Sequence, residues 1–193
     1  VEGVRNINEA VKNGWKINAF LCKEGKLSQW AEELIATIKT KENYCFSKEL
    51  MEELSGKEDV SELMAIVERK DISLDEVKTS EKPFFVLFDR PSNKGNLGSI
   101  IRSCDALGVD GLIMTGHGVD LYDPEVIAAS MGSFFSLPVV RVEEFKELQA
   151  WIGTMKERYG NFHMYGSTAH QQKPIYELDF NCPILLFIGN ETK

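Results

Sequence analysis

The chain has 193 residues, 43% of them hydrophobic and 27% charged, with a formal net charge of −8. That is room for one large domain or two small ones, with the composition of an ordinary globular protein. No apolar run approaches the roughly 18 residues that cross a bilayer, so a non-membrane, cytoplasmic protein is expected. Residues 1–80 carry 12 basic and 16 acidic groups and residues 81–193 carry 10 and 14. There is no basic tail, and any nucleic-acid site must be a local patch. Cys22, Cys45, Cys104 and Cys182 are scattered, without a C-x-x-C pair or a Cys/His cluster, and His117, His163 and His170 are isolated. Reduced thiols and no metal site are expected. The opening Val1-Glu2-Gly3-Val4-Arg5 has neither an initiator Met nor a signal-peptide pattern. Lys193 follows an apolar run with no closing helix or turn. The expectation is a piece trimmed at both ends.

In chain order, Asn6 to Asn13 reads as a short helix closed by Gly14, and Ile17 to Leu21 as a strand. Leu27, Trp30, Ala31, Leu34, Ile35 and Ile38 recur with a period near 3.6 and predict one apolar helix face. Ser47 predicts an N-cap for a helix burying Leu50, Met51 and Leu54, with Gly56 just past its end. Leu63 to Val67 is the next strand. Together, residues 1–70 form a small α/β unit, and the polar, weakly patterned 71–82 reads as a linker. After Pro83 the apolar runs lengthen. Strands are predicted at Phe84–Asp89, Gly111–Thr115, Pro138–Val142, His163–Gly166 and Ile184–Ile188, as suits a parallel sheet buried on both faces. Between them lie a helix after Asn96 and one opened by Asp123-Pro124. A longer helix then carries Phe145, Leu148, Ile152, Met155 and Tyr159 on its apolar face. Strand–helix alternation with short connections implies an α/β domain over 83–193.

The segment from Asp89 to Ser99 runs from a strand through a loop with Gly95 and Gly98 into a helix. Asn96 is expected to cap that helix, leaving backbone N–H groups for an anion. Leu97, Ile100, Ile101, Cys104 and Leu107 are spaced for burial, and Ser99, Arg102, Ser103 and Asp105 for other faces. Asn96 and Arg102 would then lie near the carboxyl end of a central strand, where open α/β sheets place ligands. The segment is neither G-x-G-x-x-G nor a P-loop. On its own it is equally an ordinary βα turn, and Arg102 equally a surface ion-pair partner.

Asp89 to Gly116, with Asn96, Arg102 six positions on and then Ala106-Leu107-Gly108, resembles the first motif of the SpoU (TrmH-like) methyltransferases of the SPOUT superfamily. Ala129-Ser130-Met131-Gly132-Ser133 followed by Leu137-Pro138-Val139 is similar to that family's middle segment. Leu186-Phe187-Ile188-Gly189-Asn190-Glu191 is similar to its second motif. Residues 1–70 resemble the substrate-binding domain many members carry. The resemblance implies a parallel-sheet SPOUT methyltransferase domain, knotted as a trefoil in the complete protein, behind a small α/β RNA-binding domain. It implies an S-adenosylmethionine-dependent enzyme acting on a ribose 2′-hydroxyl of RNA, rRNA in preference to tRNA, as a homodimer. It assigns Arg102, Asn96 and Glu191 to catalysis and Gly189, Ile188 and Thr168 to the cofactor. The family's third motif lies beyond Lys193, and truncation or disorder is the expected reason.

By the family analogy Arg102 serves as a general base helped by a substrate phosphate, with Asn96 and Glu191 orienting it. A guanidinium stays protonated in proteins and has no acceptor nitrogen in that state. Read from its chemistry, Arg102 suits clamping a phosphate and stabilising a developing alkoxide. Two other readings remain open: a non-catalytic RNA-binding protein of the same fold, and a small-molecule α/β enzyme with no RNA substrate.

Overall fold

The protein is described by a computed structural model covering residues 1–55, 59–168, 170 and 173–190. Its N-terminal unit runs α1 (Val4–Lys12), β1 (Ile17–Lys23), α2 (Gln29–Thr37), β2 (Glu42–Phe46), α3 (Lys48–Leu54) and β3 (Leu63–Val67). The sheet order is β2-β1-β3, with β1 parallel to β2 and antiparallel to β3. Ser28 and Ser47 cap α2 and α3 by accepting from Ala31 N and Leu50 N, which satisfies one orphan donor at each helix start. Ile7, Ala10, Phe20, Ala31, Leu63 and Ala65 join the main core.

Three expectations for this unit change. Strand β2 is unanticipated: it is a mostly exposed edge strand, without the apolar alternation of a half-buried one. Of the helix Ser47 opens, Met51 is buried but Leu50 and Leu54 are exposed, because seven residues give only two turns and one inward position. Gly56 lies outside the described residues. On α2 only Ala31 is fully buried, while Leu27, Trp30, Leu34, Ile35 and Ile38 pack partly against the core.

The second unit has β4 (Phe84–Asp89), α4 (Lys94–Ala106), β5 (Gly111–Thr115), α5 (Pro124–Ala129), β6 (Val139–Val142), α6 (Phe145–Tyr159), β7 (His163–Gly166) and β8 (Ile184–Ile188). The sheet order is β6-β5-β4-β8-β7, with every pairing parallel. Side chains alternate across it, as the pleat requires. Val86, Phe88, Leu112 and Met114 join the core shared with the N-terminal unit, whereas Phe85, Leu87, Ile113 and Leu185 pack with Leu148, Trp151 and Met155 of α6. Burial on both faces explains the long apolar runs. The stretch 71–82 is not free chain, since Leu74 and Val77 are buried against the α6 face. On α6 the sequence-based apolar face needs shifting: Phe145 is 68% exposed and Trp151 takes the inward place.

The two units share one hydrophobic cluster. Trp15 sits edge-on to Phe135 and tilted against Phe134, and its Nε1 donates to Phe135 O at 2.9 Å. Helix α4 packs on α5 through Gly98, where a Cβ would stand 2.5 Å from Ala129 Cβ and 2.7 Å from Val126 O. Only glycine allows that approach. Leu97, Ile101 and Cys104 are buried and Ile100 partly so, but Leu107 is 73% exposed. It is the C-cap residue of α4, with non-helical backbone, and so leaves the buried stripe.

Candidate active site

Strand order places the site. From β4 the chain moves outward to β5 and β6, then crosses to β7 and returns through β8 beside β4. Between β4 and β8 the order reverses, and open α/β sheets bind ligands at the carboxyl ends of such strands. A cavity of about 540 Å³ opens there, within the usual size of a small-molecule site. Its walls include the last residues of all five strands: Asp89, Thr115, Val142, Gly166 and Ile188. Leu87, Leu148 and Phe187 line its floor, and Ser167, Gly189 and Gly116 its rim.

One polar network braces the rim. Asp89 Oδ1 accepts from Thr115 Oγ1 at 2.8 Å, and Oδ2 accepts from Arg90 Nε at 3.0 Å and Nη2 at 2.9 Å. The Arg90 guanidinium, helped by Thr115, holds the Asp89 carboxyl below its ordinary value despite an opposing effect of burial. Arg90 has φ 46°, rare for a residue with a side chain. Its stem lies over Gly116, where a Cβ would meet Arg90 Cγ at 2.6 Å. Asn190 Nδ2 donates to Arg90 O at 2.7 Å, tying the loop after β8 to the loop that starts α4. Arg141 donates to Gly116 O at 3.4 Å and Val119 O at 2.5 Å and so fixes the loop after β5.

Of the residues assigned to a cofactor from sequence, Gly189 and Ile188 line this cavity. Thr168 is not in its wall; its neighbour Ser167 is, and Thr168 Oγ1 instead accepts from His170 N at 3.2 Å. A Cβ on Gly189 or Gly166 would meet nothing within 4 Å, so packing inside the chain demands neither glycine. Glu191 lies outside the described residues. Asn96 is not the cap of α4. That place belongs to Asn93, whose Oδ1 accepts from Asn96 N at 2.9 Å. Asn96 is the third helical residue and exposed, Arg102 is exposed, and no residue of α4 is in the cavity wall. At about 100° per residue, Ser99 stands between the two on the solvent face. Among the described residues Arg102 has no hydrogen-bond or ion-pair partner.

Ser167 belongs to the loop that the sequence places against the cofactor, whereas sequence reasoning missed Asp89, Thr115 and Gly166. A signal for all three was present, since they are the last residues of predicted strands. Among the described residues no group of three His, Cys, Asp or Glu could hold a metal. No described helix is long and apolar enough to cross a membrane.

Residues 83–193 match the model of the SpoU rRNA Methylase family, and residues 1–65 match that of the SpoU L30e-like domain. A 23S rRNA (uridine(2479)-2′-O)-methyltransferase of Streptomyces viridochromogenes is 42% identical, over 100% of this chain and 67% of that protein. The crystal structure of the SpoU methyltransferase AviRb from the same organism, in complex with AdoMet, superposes with a TM-score of 0.93. It is 42% identical and covers 100% of this chain and 73% of that one. An RNA 2′-O ribose methyltransferase structure gives a TM-score of 0.77 at 28% identity, over 98% and 70% of the two chains. With its parallel sheet, the cleft at the strand ends and a family model spanning more than half its length, the chain belongs to the SpoU rRNA methylase family.

Proposed function

We propose that this protein methylates a ribose 2′-hydroxyl of RNA with S-adenosylmethionine, with rRNA preferred to tRNA. The observation that carries the reading is the cavity at the carboxyl ends of β4 and β8, tied through Asn190 and Arg90 to the start of the helix that bears Asn96 and Arg102. The cavity fits the cofactor's chemistry. Leu87, Val142, Leu148 and Phe187 offer apolar walls for a purine, and Asp89, paired with Arg90 and Thr115, gives the cavity a polar, charge-balanced edge. The open positions at Gly166 and Gly189 leave room for close backbone approach. Gly189, Ile188 and Ser167 would hold it, and it supplies an electrophilic methyl group when bound.

The chain's own residues would position the nucleophile. Arg102 donates in a bidentate fork to a substrate phosphate or to the ribose oxygen, whose proton passes to water as the new O–CH3 bond forms and the methyl–sulfur bond breaks. Asn96, one face round the same helix, orients the nucleotide, and Glu191 completes the set. The family resemblance makes the working form a homodimer; α4 does not line the cavity of its own chain, which is compatible with a second copy presenting Arg102 to a cofactor site. The same reading makes the protein cytoplasmic and metal-independent, with a trefoil knot in the complete chain.

The test is transfer of tritiated methyl groups to bulk rRNA and tRNA at saturating RNA. Incorporation into rRNA, reduced at least about 100-fold in Arg102→Ala, is expected. Arg102→Lys is expected to stay near that low level, since an ammonium lacks the planar fork. Near-normal activity of Arg102→Lys would refute the clamp. RNA binding without methyl incorporation by the full-length protein would refute the enzyme and leave the RNA-binding module.

A further inference from the structure

The acidic chain needs a local cationic surface, and two arginines supply one across the joint between the units. The segment after α5 is a tight turn with consecutive left-handed residues, Met131 (φ 53°) and Gly132 (φ 98°). It is held between two helices. On one side α1 is seated on it, since a Cβ at Gly132 would meet Glu9 Cγ at 2.9 Å and Arg5 Cγ at 3.5 Å. On the other side α4 lies along it: Gly98 abuts Ala129, and Asp105 Oδ1 accepts from Ser136 Oγ at 2.8 Å. Arg102 stands between Gly98 and Asp105 on α4, turned about 40–60° further toward solvent. Arg5 and Arg102 therefore flank one turn from two different domains.

Among the described residues neither arginine has a carboxylate within 4.0 Å. Glu9, one turn from Arg5, is engaged by Lys12 Nζ at 3.3 Å and by Asn13 Nδ2 at 3.3 Å. Asp105, one turn from Arg102, accepts from Ser136. Both guanidinium groups are exposed, and among the described residues neither has an ion-pair or hydrogen-bond partner. Of the other arginines, Arg69 and Arg90 each face a carboxylate within 4.0 Å, Arg141 donates to backbone carbonyls and Arg158 lies over the Tyr159 ring. Two unpaired planar forks on one rim suit phosphate oxygens.

The geometry points to Arg5 as a positioning residue that binds a backbone phosphate of the RNA substrate, on a strip continuous with Arg102 over the Met131–Gly132 turn. The inference rests on the RNA methyltransferase reading. It assigns Arg5 a part in holding RNA and none in the methyl-transfer chemistry. One contact on each side of the turn sets how the N-terminal unit presents the strand to α4.

The test uses the full-length protein and an rRNA fragment it methylates. Arg5→Gln keeps the stem that covers Gly132 and removes the charge; Arg5→Lys keeps the charge. For Arg5→Gln, Kd for RNA is expected to rise roughly tenfold. The slope of log affinity against log salt is expected to fall by about 0.7–0.9, the share of one phosphate. KM for RNA should rise with it while kcat at saturating RNA stays within about twofold. S-adenosylmethionine affinity by calorimetry and the melting temperature should not move, Arg5→Lys should recover most RNA affinity, and Lys156→Ala on the far layer should leave the slope unchanged. Wild-type affinity and salt slope in Arg5→Gln would overturn this inference alone. Wild-type protein that neither binds nor methylates rRNA would overturn the functional reading and this inference with it.

Discussion

The two sheets of this molecule are built from the same kind of strand yet live in different surroundings. The five-stranded sheet is parallel throughout and buried on both faces, by α4 and the N-terminal unit on one and α6 on the other. The three-stranded sheet is mixed, and it ends in an edge strand whose residues are mostly exposed. A fully covered sheet can hold strand ends rigidly around a cleft. A sheet with an open edge keeps backbone and aromatic groups available, as the stacked Tyr44 and Phe46 are, with ring centroids 6.1 Å apart. The first arrangement suits chemistry that needs fixed geometry, and the second suits a module that meets a large partner.

The sharpest way to break this contrast is to empty one position in each sheet. Phe88 is fully buried in the core that the two units share. Phe88→Ala should cost about 3–5 kcal/mol through lost transfer energy and the cavity left behind. Tyr44→Ala on the edge strand should cost under about 1 kcal/mol. Urea unfolding of both variants decides it. Comparable losses would mean that the N-terminal sheet is as tightly packed as the catalytic one.

A smaller effect separates the layer between the sheets from the outer layer. Glycine in a helix interior is ordinarily worse than alanine by about 0.5–1 kcal/mol. Gly153 in α6 follows that rule, because a Cβ there would meet nothing within 4 Å, and Gly153→Ala should stabilise by about that amount. Gly98 should reverse it. Its Cβ would press on Ala129 and the Val126 carbonyl, both closer than 3.0 Å, so Gly98→Ala should destabilise by about 1–3 kcal/mol. Thermal melts of the pair give opposite signs if α4 and α5 are in the contact described. Two shifts of the same sign would disprove that contact.

These contrasts also mark what could be read in advance. The covered sheet was legible because burial on both faces writes itself as long apolar runs, and all five of its strands fall where those runs are. Their last residues outline the cleft. The edge strand Glu42–Phe46 was not legible, since exposure removes the periodicity that betrays a strand. Asn93 and Asn96 both suit a cap, and only the folded loop shows Asn93 accepting from Asn96 N. Arg5 had no local signal at all: its meaning comes from Gly132, which is 127 residues away in sequence and adjacent in space. Periodicity reports what is buried, motifs report what lies close along the chain, and neither reports a meeting of two helices across a turn.

The smallest expected effect concerns the thiols, and it asks whether the two sheets come apart independently. Burial pushes the Cys104 thiol up to about 12, so at pH 8 only about one part in ten thousand is thiolate, and the group is also shielded. Cys45 on the edge strand is exposed. A thiol reagent added to the native protein at pH 8 should therefore label Cys45 within the fast phase, with little change in melting temperature, and Cys104 only as fast as the structure opens. Because Phe20, Leu63, Phe88, Leu97 and Cys104 belong to one cluster, that opening should require the joint core to come apart. The Cys104 labelling rate should then track global stability in mild urea. Replacement of Phe88 should accelerate it in proportion to the stability lost, and replacement of Tyr44 should hardly touch it. Cys104 labelling that is insensitive to Phe88→Ala would show that α4 lifts from the sheet on its own, and that the cluster uniting the two units does not act as a single cooperative core.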